Sequence, residues 1–463
     1  MKTKANKRME MKKMDSQTID KIVDGLKENG AKLAACSFVD SAGISRVKTI
    51  PISKLVSAAK NGIGISYTFA VFGVNDHITT APGFDTPSGD MRLIPDLNAA
   101  VSLYGAPGWI WAPVWQYDQE LNIMPVCQRH FAQRMIEVAS KKGISFQMTF
   151  EVEFTLLDES DQPVGMGLPG YGIVKLIPIE TFLVELTEAL ESQGISPAQL
   201  HPEYSAGQYE ISVDPRDPLV AADQLLLLRQ TICRIAQKYG FRAAFAPVVI
   251  PGEVGNGTHL HFSAWSEGKN LFTGGDGPQE LTTEGEHMAA GVLERLSEMT
   301  SLLATSVLSY ERLQPSNWAG AYTCWGWENR EAALRLCKGT KTIRSKTANF
   351  ELKSIDGTIN PYLVVGILIA AAMDGLERKA ILPEPIQVNP ADLSEDERNQ
   401  KSVQQLSANL KEAIDQLEKS TFVKRALGNS LYECYLAVKK FDWECYGSME
   451  FEKMVEDLRW RYA

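Results

Sequence analysis

The sequence has no closely spaced cysteine pair and no long apolar run. Its 7 cysteines are an odd number, scattered and without a C-x-x-C motif, which argues against a disulfide framework or a thiolate metal site and indicates reduced thiols in a cytoplasm. The longest apolar run, residues 362–373, is too short to span a bilayer, so we expect no membrane partner. Residues 1–13 are basic, but no apolar stretch follows them, so we do not expect a secretory signal.

An excess of positive charge is also absent. The chain carries 47 Lys and Arg against 57 Asp and Glu, a formal net charge of -10, which repels phosphate backbones and anionic membrane surfaces. We therefore expect no nucleic acid partner. With 463 residues, 44% of them hydrophobic, the chain exceeds the size of one hydrophobic core. A small binding module and wholesale disorder are excluded.

The character of the chain changes near residue 122. Residues 31–51 alternate apolar with polar side chains around an Asp-Ser-Ala-Gly turn, which predicts a β-hairpin in a small N-terminal unit. After residue 122, strand-like runs alternate with amphipathic helical segments, which predicts an α+β fold with a mostly antiparallel sheet. We expect a flexible tail, an N-terminal domain and a second domain at residues 1–20, 21–121 and 122–463.

Acidic side chains stand at alternate positions of the predicted strands. Glu151 and Glu153 leave the same face of the run FEVEFTLL, and His259 and His261 repeat this spacing in GNGTHLHFSAW. Three more acids stand at strand starts: Glu203, Glu210 and Glu351. Five carboxylates with few histidines and no cysteine favour Mg²⁺ or Mn²⁺ over zinc. For each pair taken alone, a solvent-facing acidic strand and satisfied structural histidines stay open.

Basic residues cluster downstream of these acids, at Arg312, Arg330, Arg335 and Lys353. A planar guanidinium can clamp a phosphate or a carboxylate bidentately. Metal ions and arginines around one substrate favour phosphoryl transfer. Surface ion pairing is the alternative for any single arginine.

In chain order, these segments resemble the glutamine synthetase family over nearly the whole chain. The segment FVDSAGISRVKTIP is similar to the family's N-terminal β-grasp hairpin. Six later segments resemble the family's successive active-site motifs: EVEF, HPEYSAGQYEI, GNGTHLHFSAW, SYERLQP, NREAALR and ELKSIDGTINPYL. The resemblance implies a β-grasp-like domain followed by a catalytic domain with a curved, mostly antiparallel sheet flanked by helices. It also implies self-association into stacked rings such as a dodecamer, with active sites between subunits.

The resemblance assigns roles to the matching residues. It implies two or more Mg²⁺ or Mn²⁺ ions per active site, one held near the amino acid by Glu153, Glu203 and Glu210, and one beside ATP held by Glu151, His259 and Glu351. Nucleotide contacts fall to His261, Ser263 and Arg335. The residues expected to contact L-glutamate or the transferring phosphoryl group are Arg312, Arg330, Lys353 and Gly255. From a neighbouring subunit, the amine site receives Asp40.

The implied reaction is an ATP-dependent ligation in two steps. ATP phosphorylates the γ-carboxylate of L-glutamate, and an amine then attacks the acyl phosphate to give a γ-glutamyl amide. An acyl phosphate hydrolyses in water, so a closing flap is expected.

Position 318 departs from the family pattern. In ammonia-using members, a glutamate in the segment after R-L-x-P takes a proton from ammonium, whereas this chain has Trp318 there. An indole offers aromatic contact surface in place of a base. We therefore expect an amine that is neither ammonium nor a polycation, namely an aniline-type amine that gives a γ-glutamylanilide as the first step of amine degradation. Three further positions depart from the family pattern. Lys353 and Asn349 each stand where the family has an arginine, and Val254 stands where it has an asparagine.

Three alternatives stay open at this point. The chain could be a true glutamine synthetase that uses ammonium, or it could glutamylate an alkylamine or polyamine. A non-catalytic structural relative is the third. The six expected metal ligands are all present, and this retention favours an enzyme. For Trp318 itself, simple packing of the flap against Trp325 or Trp327 also stays open.

Overall fold

The structure is a computed structural model that describes residues 14–84 and 86–462. Within these residues the strands form one sheet of six strands and one of nine. The strands of the first sheet are β1 (Leu33–Val39), β2 (Ser45–Pro51), β3 (Ile63–Ser66), β4 (Asp90–Pro95), β5 (Val101–Ser102) and β6 (Trp109–Tyr117). Those of the second are β7 (Ser145–Leu157), β8 (Pro197–Pro202), β9 (Gln208–Val213), β10 (Arg242–Ala244), β11 (Thr258–Ser266), β12 (Lys269–Asn270), β13 (Tyr322–Trp327), β14 (Ala332–Cys337) and β15 (Asn349–Leu352).

Helices flank both sheets, which confirms the α+β class. In chain order they are α1 (Ser16–Glu28), α2 (Leu55–Asn61), α3 (Gln128–Ser140), α4 (Glu180–Ser192), α5 (Pro218–Lys238), α6 (Thr283–Leu303), α7 (Ser309–Arg312), α8 (Arg344–Thr347), α9 (Pro361–Arg378), α10 (Glu395–Gln400), α11 (Leu410–Lys419), α12 (Thr421–Leu427), α13 (Asn429–Tyr446) and α14 (Phe451–Leu458). Among the described residues, no helix combines the length and apolarity needed to cross a membrane.

The first sheet contains the hairpin that the sequence predicted. Strands β1 and β2 pair antiparallel, with Val39 opposite Ser45 at the turn, and β1 also pairs parallel with β6. The two sheets use residues 33–117 and 145–352. The division into domains at residues 21–121 and 122–463 remains our proposal.

The chain is ordered earlier than we expected. Residues 1–13 lie outside the described residues, but α1 begins at Ser16, inside the segment 1–20 that we assigned to a flexible tail. The Asp15 carboxylate caps this helix by accepting the Thr18 N–H at 2.9 Å, and Ile19 is buried in the core. The expectation of a flexible tail is therefore wrong for residues 16–20.

The second sheet is mostly antiparallel, as predicted, with the order β13-β14-β15-β11-β7-β9-β8. Among these neighbours only the β13–β14 pair is parallel. Helix α9 packs against α3, α5 and α6 and is buried along most of its length. This buried helix explains the apolar run at residues 362–373, which is a core helix.

The start of α9 joins the two sheets through a side-chain amide. The side-chain Oδ1 of Asn360 caps α9 by accepting the N–H groups of Tyr362 and Leu363. The side-chain Nδ2 of Asn360 donates to the backbone carbonyl oxygens of Val39 and Asp40, at 3.3 and 3.2 Å. The turn of the hairpin therefore packs directly on the segment before α9.

Replacing Asn360 by alanine should destabilise the protein strongly. The substitution removes the α9 cap and leaves two carbonyl groups of the hairpin without their donor, so we expect a loss of about 2–4 kcal/mol in the free energy of unfolding, measured by urea titration. The matched control is Asn409→Ala, because Asn409 caps α11 at an exposed site. A loss no larger than that of the control would contradict this role of Asn360.

Candidate active site

One face of the second sheet collects the acidic and imidazole side chains. Glu151 on β7 lies opposite His259 on β11, and Glu153 lies opposite Glu210 on β9. Strand β15 adds Glu351 on the other side of β11. Because alternate residues of a strand share a face, the spacing of two residues in the sequence brings these side chains together.

The first group consists of Glu151, His259 and Glu351, as the resemblance implied. His259 Nδ1 lies 3.4 Å from Glu151 Oε2 and 3.3 Å from Glu351 Oε1. One potential ligand atom from each residue lies within 4.8 Å of the others. The three side chains can therefore share one ion.

The remaining acids, Glu153, Glu203 and Glu210, were expected to share one ion, and this stays a proposal. The structure brings Glu153 and Glu210 together with His259, and it brings Glu203 and Glu210 together with His201. His201 Nε2 lies 2.9 Å from Glu210 Oε1. Sequence reasoning missed His201, although it stands two residues before Glu203 and thus shares its spacing.

Crowding of negative charge sets the electrostatics of this face. Burial and the nearby charge of Glu151 raise the pKa of Glu210, and burial and the charge of Glu153 raise the pKa of Glu203. Burial alone would raise the pKa of Glu351, but the charges of Lys353 and the two histidines hold it below its usual range. An oxygen-rich set of ligands with one or two imidazoles fits Mg²⁺ or Mn²⁺, and such ions would relieve the repulsion.

A cavity of about 870 Å³ opens in front of this face. The basic side chains that line it are Arg312, Arg330 and Lys353. Arg312 Nη2 lies 3.1 Å from His259 Nε2, and Lys353 Nζ lies 3.1 Å from Glu351 Oε1. Gly255 also lines the cavity, and a methyl group there would lie 1.9 Å from the Pro247 carbonyl oxygen. The cavity thus joins carboxylates that can hold cations to basic groups that can hold anions.

The three residues expected on the nucleotide side lie further along the same face, outside the cavity lining. His261 Nε2 lies 3.3 Å from Glu151 Oε2, and Arg335 Nη1 lies 3.0 Å from Glu351 Oε2. Ser263 is buried and accepts a hydrogen bond from the Trp265 indole. They surround the outer side of the Glu151 group, so their contact with ATP stays a proposal.

Asp40, expected to serve a neighbouring subunit, does not line the cavity of its own chain. Its side chain is fully buried in the hairpin, where it accepts hydrogen bonds from the N–H groups of Ala42 and Ile44 and from Arg46 Nε at 2.7 Å. Burial raises the pKa of Asp40 to about 6, although Arg46 opposes this. The role of Asp40 at the amine site of a neighbouring subunit stays a proposal.

Aromatic side chains form the outer wall of the cavity. Trp318 is 56% exposed and lines the cavity. The guanidinium of Arg330 lies over the indole, 5.8 Å from the ring centre. Sequence reasoning missed Tyr171 and Tyr204, which are 54% and 65% exposed and also line the cavity. Nothing in their local sequence distinguishes them from ordinary loop tyrosines.

Comparison with known proteins decides the family. Residues 125–459 match the family described as "Glutamine synthetase, catalytic domain". The chain belongs to the glutamine synthetase family. This confirms the resemblance seen in the sequence and the enzyme class, a glutamate–amine ligase.

Relatives along almost the whole chain carry two kinds of name. The chain is 40% identical over 432 residues to "Gamma-glutamylpolyamine synthetase GlnA3" of Streptomyces coelicolor, and the aligned region covers 92% of each chain. It is 28% identical over 443 residues to "Glutamine synthetase" of Methanosarcina mazei, which covers 95% of this chain and 96% of the relative.

Solved structures support the same fold. A "novel glutamine synthase homolog" superimposes with a TM-score of 0.82 at 29% identity, covering 92% of this chain and 97% of that one. The structure titled "Apo GmaS without ligand" superimposes with a TM-score of 0.81 at 25% identity, covering 94% and 98% of the two chains.

Proposed function

We propose that this protein joins the γ-carboxyl group of L-glutamate to an organic amine, with ATP as the energy source and γ-glutamyl phosphate as the intermediate. The observation that carries this proposal is the cavity in which Arg312, Arg330 and Lys353 face the acidic sheet surface. The aromatic wall at Trp318 closes the same cavity on the amine side. Mg²⁺ or Mn²⁺, bound by the acids and His259, would offset the charge of the triphosphate.

The reaction balances with the groups at hand. A carboxylate oxygen of glutamate attacks the γ-phosphorus of ATP, and ADP leaves. The amine nitrogen then attacks the acyl carbon, phosphate leaves, and the nitrogen loses a proton. Arg312 and Lys353 are the cationic side chains that neutralise the carboxylate in the first step, and Arg330 is placed to neutralise the phosphate in the second.

A diamine or polyamine is the amine class that we favour. The cavity lining includes Glu253 and Glu311, two carboxylates that are not among the expected metal ligands. Carboxylates and exposed aromatic faces both attract alkylammonium groups. The similarity to a relative named for polyamines points the same way. Our reason for excluding a polycation was the loss of one carboxylate at position 318, and these two carboxylates remove that reason.

An aniline-type amine is the second candidate. The exposed indole of Trp318 at the cavity wall offers a flat surface on which an aromatic ring could stack. An arylamine is neutral near pH 7 and needs no base to become nucleophilic. The product would be a γ-glutamylanilide.

An amine panel tests these candidates. ADP release is measured with L-glutamate, ATP and Mg²⁺ or Mn²⁺, in the presence of ammonium, putrescine, spermidine, ethylamine or aniline, and the product is identified by mass. We expect spermidine or putrescine to give kcat/KM at least about tenfold above ammonium. Faster turnover of aniline would replace the favoured amine by the second candidate. Faster turnover of ammonium would establish a glutamine synthetase, and no turnover at all would favour a non-catalytic relative.

Assembly and location also stay proposals. We propose stacked rings such as a dodecamer, supported by apolar side chains that are unusually exposed for a lone chain, among them Ile173 at 81% and Ile177 at 64%. We propose a cytoplasmic location because all seven cysteines are free, as in a reducing compartment.

A further inference from the structure

The loop that carries Trp318, residues 314–320, has an unusual backbone. Ser316, Trp318 and Gly320 have φ angles of 64°, 53° and 71°, in the left-handed region. Glycine adopts this conformation freely, but a bulky residue such as tryptophan does so only when its surroundings impose it. The contacts of the loop should therefore reveal what holds Trp318 in place.

Glu331 makes the contact nearest to Trp318. The backbone N–H of Trp318 donates to Glu331 Oε1 at 3.0 Å. Glu331 is only 7% exposed, and its second carboxylate oxygen, Oε2, is buried without a hydrogen-bond partner in the part of the chain that the structure describes. A buried carboxylate is costly, so its position requires an explanation.

Two weaker contacts hold the ends of the loop. Asn389 Nδ2 donates to Ser316 Oγ at 3.0 Å, at an exposed site. Gly320 lies so close to β14 that a methyl group there would be 2.8 Å from Ala333 Cα. Between these ends, Glu331 is the side chain that fixes the backbone of Trp318.

We infer that Glu331 is a positioning residue for amine selection. It acts through Trp318: by accepting the N–H at that position, the carboxylate holds the loop in its left-handed conformation and keeps the indole at the cavity wall. Arg330, the adjacent residue, lies over the same indole and so depends on the same arrangement. The family's carboxylate at position 318 is lost, and this chain brings a carboxylate to the same loop from the turn before β14. This inference rests on the proposed function, because it assigns selectivity to the amine step.

The test compares Glu331→Ala with Glu331→Gln. Glutamine keeps an oxygen that can accept the Trp318 N–H, whereas alanine removes it. We expect Glu331→Ala to raise KM for the preferred amine by about tenfold or more, the effect of losing a hydrogen bond to a charged group. KM for glutamate and ATP should change by less than about twofold, and Glu331→Gln should stay close to wild type. Asn389→Ala serves as the control and should have the smaller effect on amine KM.

A double-mutant cycle separates positioning from general damage. In a Trp318→Ala background, Glu331→Ala should no longer raise amine KM, because the indole that it positions is gone. Should Glu331→Ala fail to fold, Glu331→Asp replaces it, because aspartate withdraws the carboxylate by one methylene and should show the same change confined to amine KM. Thermal melting confirms that each variant is folded.

Three results would overturn the inference. One is an unchanged amine KM in a folded Glu331→Ala protein. Another is an equal rise in KM for all three substrates, and the third is a Glu331→Gln variant as impaired as the alanine variant. These outcomes are distinct from failure of the proposed function, in which wild type itself turns over no amine in the panel.

Discussion

Replacement of Glu153 by alanine is expected to abolish ATP turnover, with a fall in kcat of at least about a thousandfold. Glu153 Oε2 accepts the Gly257 N–H at 2.8 Å and a hydrogen bond from Gln208 Nε2 at 2.9 Å, which aim its other oxygen towards His259 and Glu210. The substitution therefore removes a charged ligand from the centre of the acidic face. ADP release with glutamate and the preferred amine measures the loss.

Cation binding provides a second readout for the same variant. In wild type, Mn²⁺ should raise the melting temperature, because it binds the folded acidic face and not the unfolded chain. The rise should be much smaller in Glu153→Ala. The control is Glu188→Ala, since Glu188 is exposed on α4 away from the cavity. Near-normal turnover, or an unchanged Mn²⁺ effect on melting, would refute the assignment of Glu153 as a ligand.

A single methyl group at position 257 is expected to have the second largest effect. A Cβ on Gly257 would lie 2.5 Å from Arg312 Nη2 and 2.6 Å from His259 Nε2. Gly257→Ala must displace Arg312, which we propose binds substrate, together with His259, a candidate metal ligand. A shift of about 1 Å at reacting groups can lower the rate about a hundredfold, so we expect kcat/KM to fall at least that far.

The stability of this variant should change little, because the methyl group meets the ends of two side chains rather than the backbone. Gly25→Ala is the matched control, since a Cβ at that position in α1 has no atom within 4 Å. The control should keep full activity and gain about 0.5–1 kcal/mol from better helix propensity. Wild-type kinetics in Gly257→Ala would mean that the site can adapt around the extra carbon.

Local patterns in the sequence predicted much of this molecule. The alternation in residues 31–51 predicted the β1–β2 hairpin, and the strand run SFQMTFEVEFTLL coincides with β7. Same-face spacing predicted that Glu151 and Glu153 share a face of β7 and that His259 and His261 share a face of β11, because period two is a local property of strands. The grouping of Glu151 with His259 came from the family resemblance.

What the sequence could not predict depends on neighbours distant in the chain. The sequence did not predict that His201 on β8 lies opposite Glu210 on β9, because strand register is not visible in a single segment. The contact of Asp40 with Arg46, which lies on β2, was not predicted either. The hydrogen bond between Glu331 and Trp318 joins the turn before β14 to a separate loop, and no spacing rule connects the two.

The contact between the hairpin turn and α9 couples the opening of one sheet to the other. Gly43 lies so near the Thr358 carbonyl oxygen that a methyl group would be 2.0 Å from it, and Asn360 satisfies backbone groups on both sides of this contact. Partial opening of the N-terminal sheet would thus expose unsatisfied backbone at the start of α9. Helix α9 is the next helix or strand after β15, which bears Glu351. Transient local unfolding of the N-terminal sheet should therefore weaken cation binding at the acidic face.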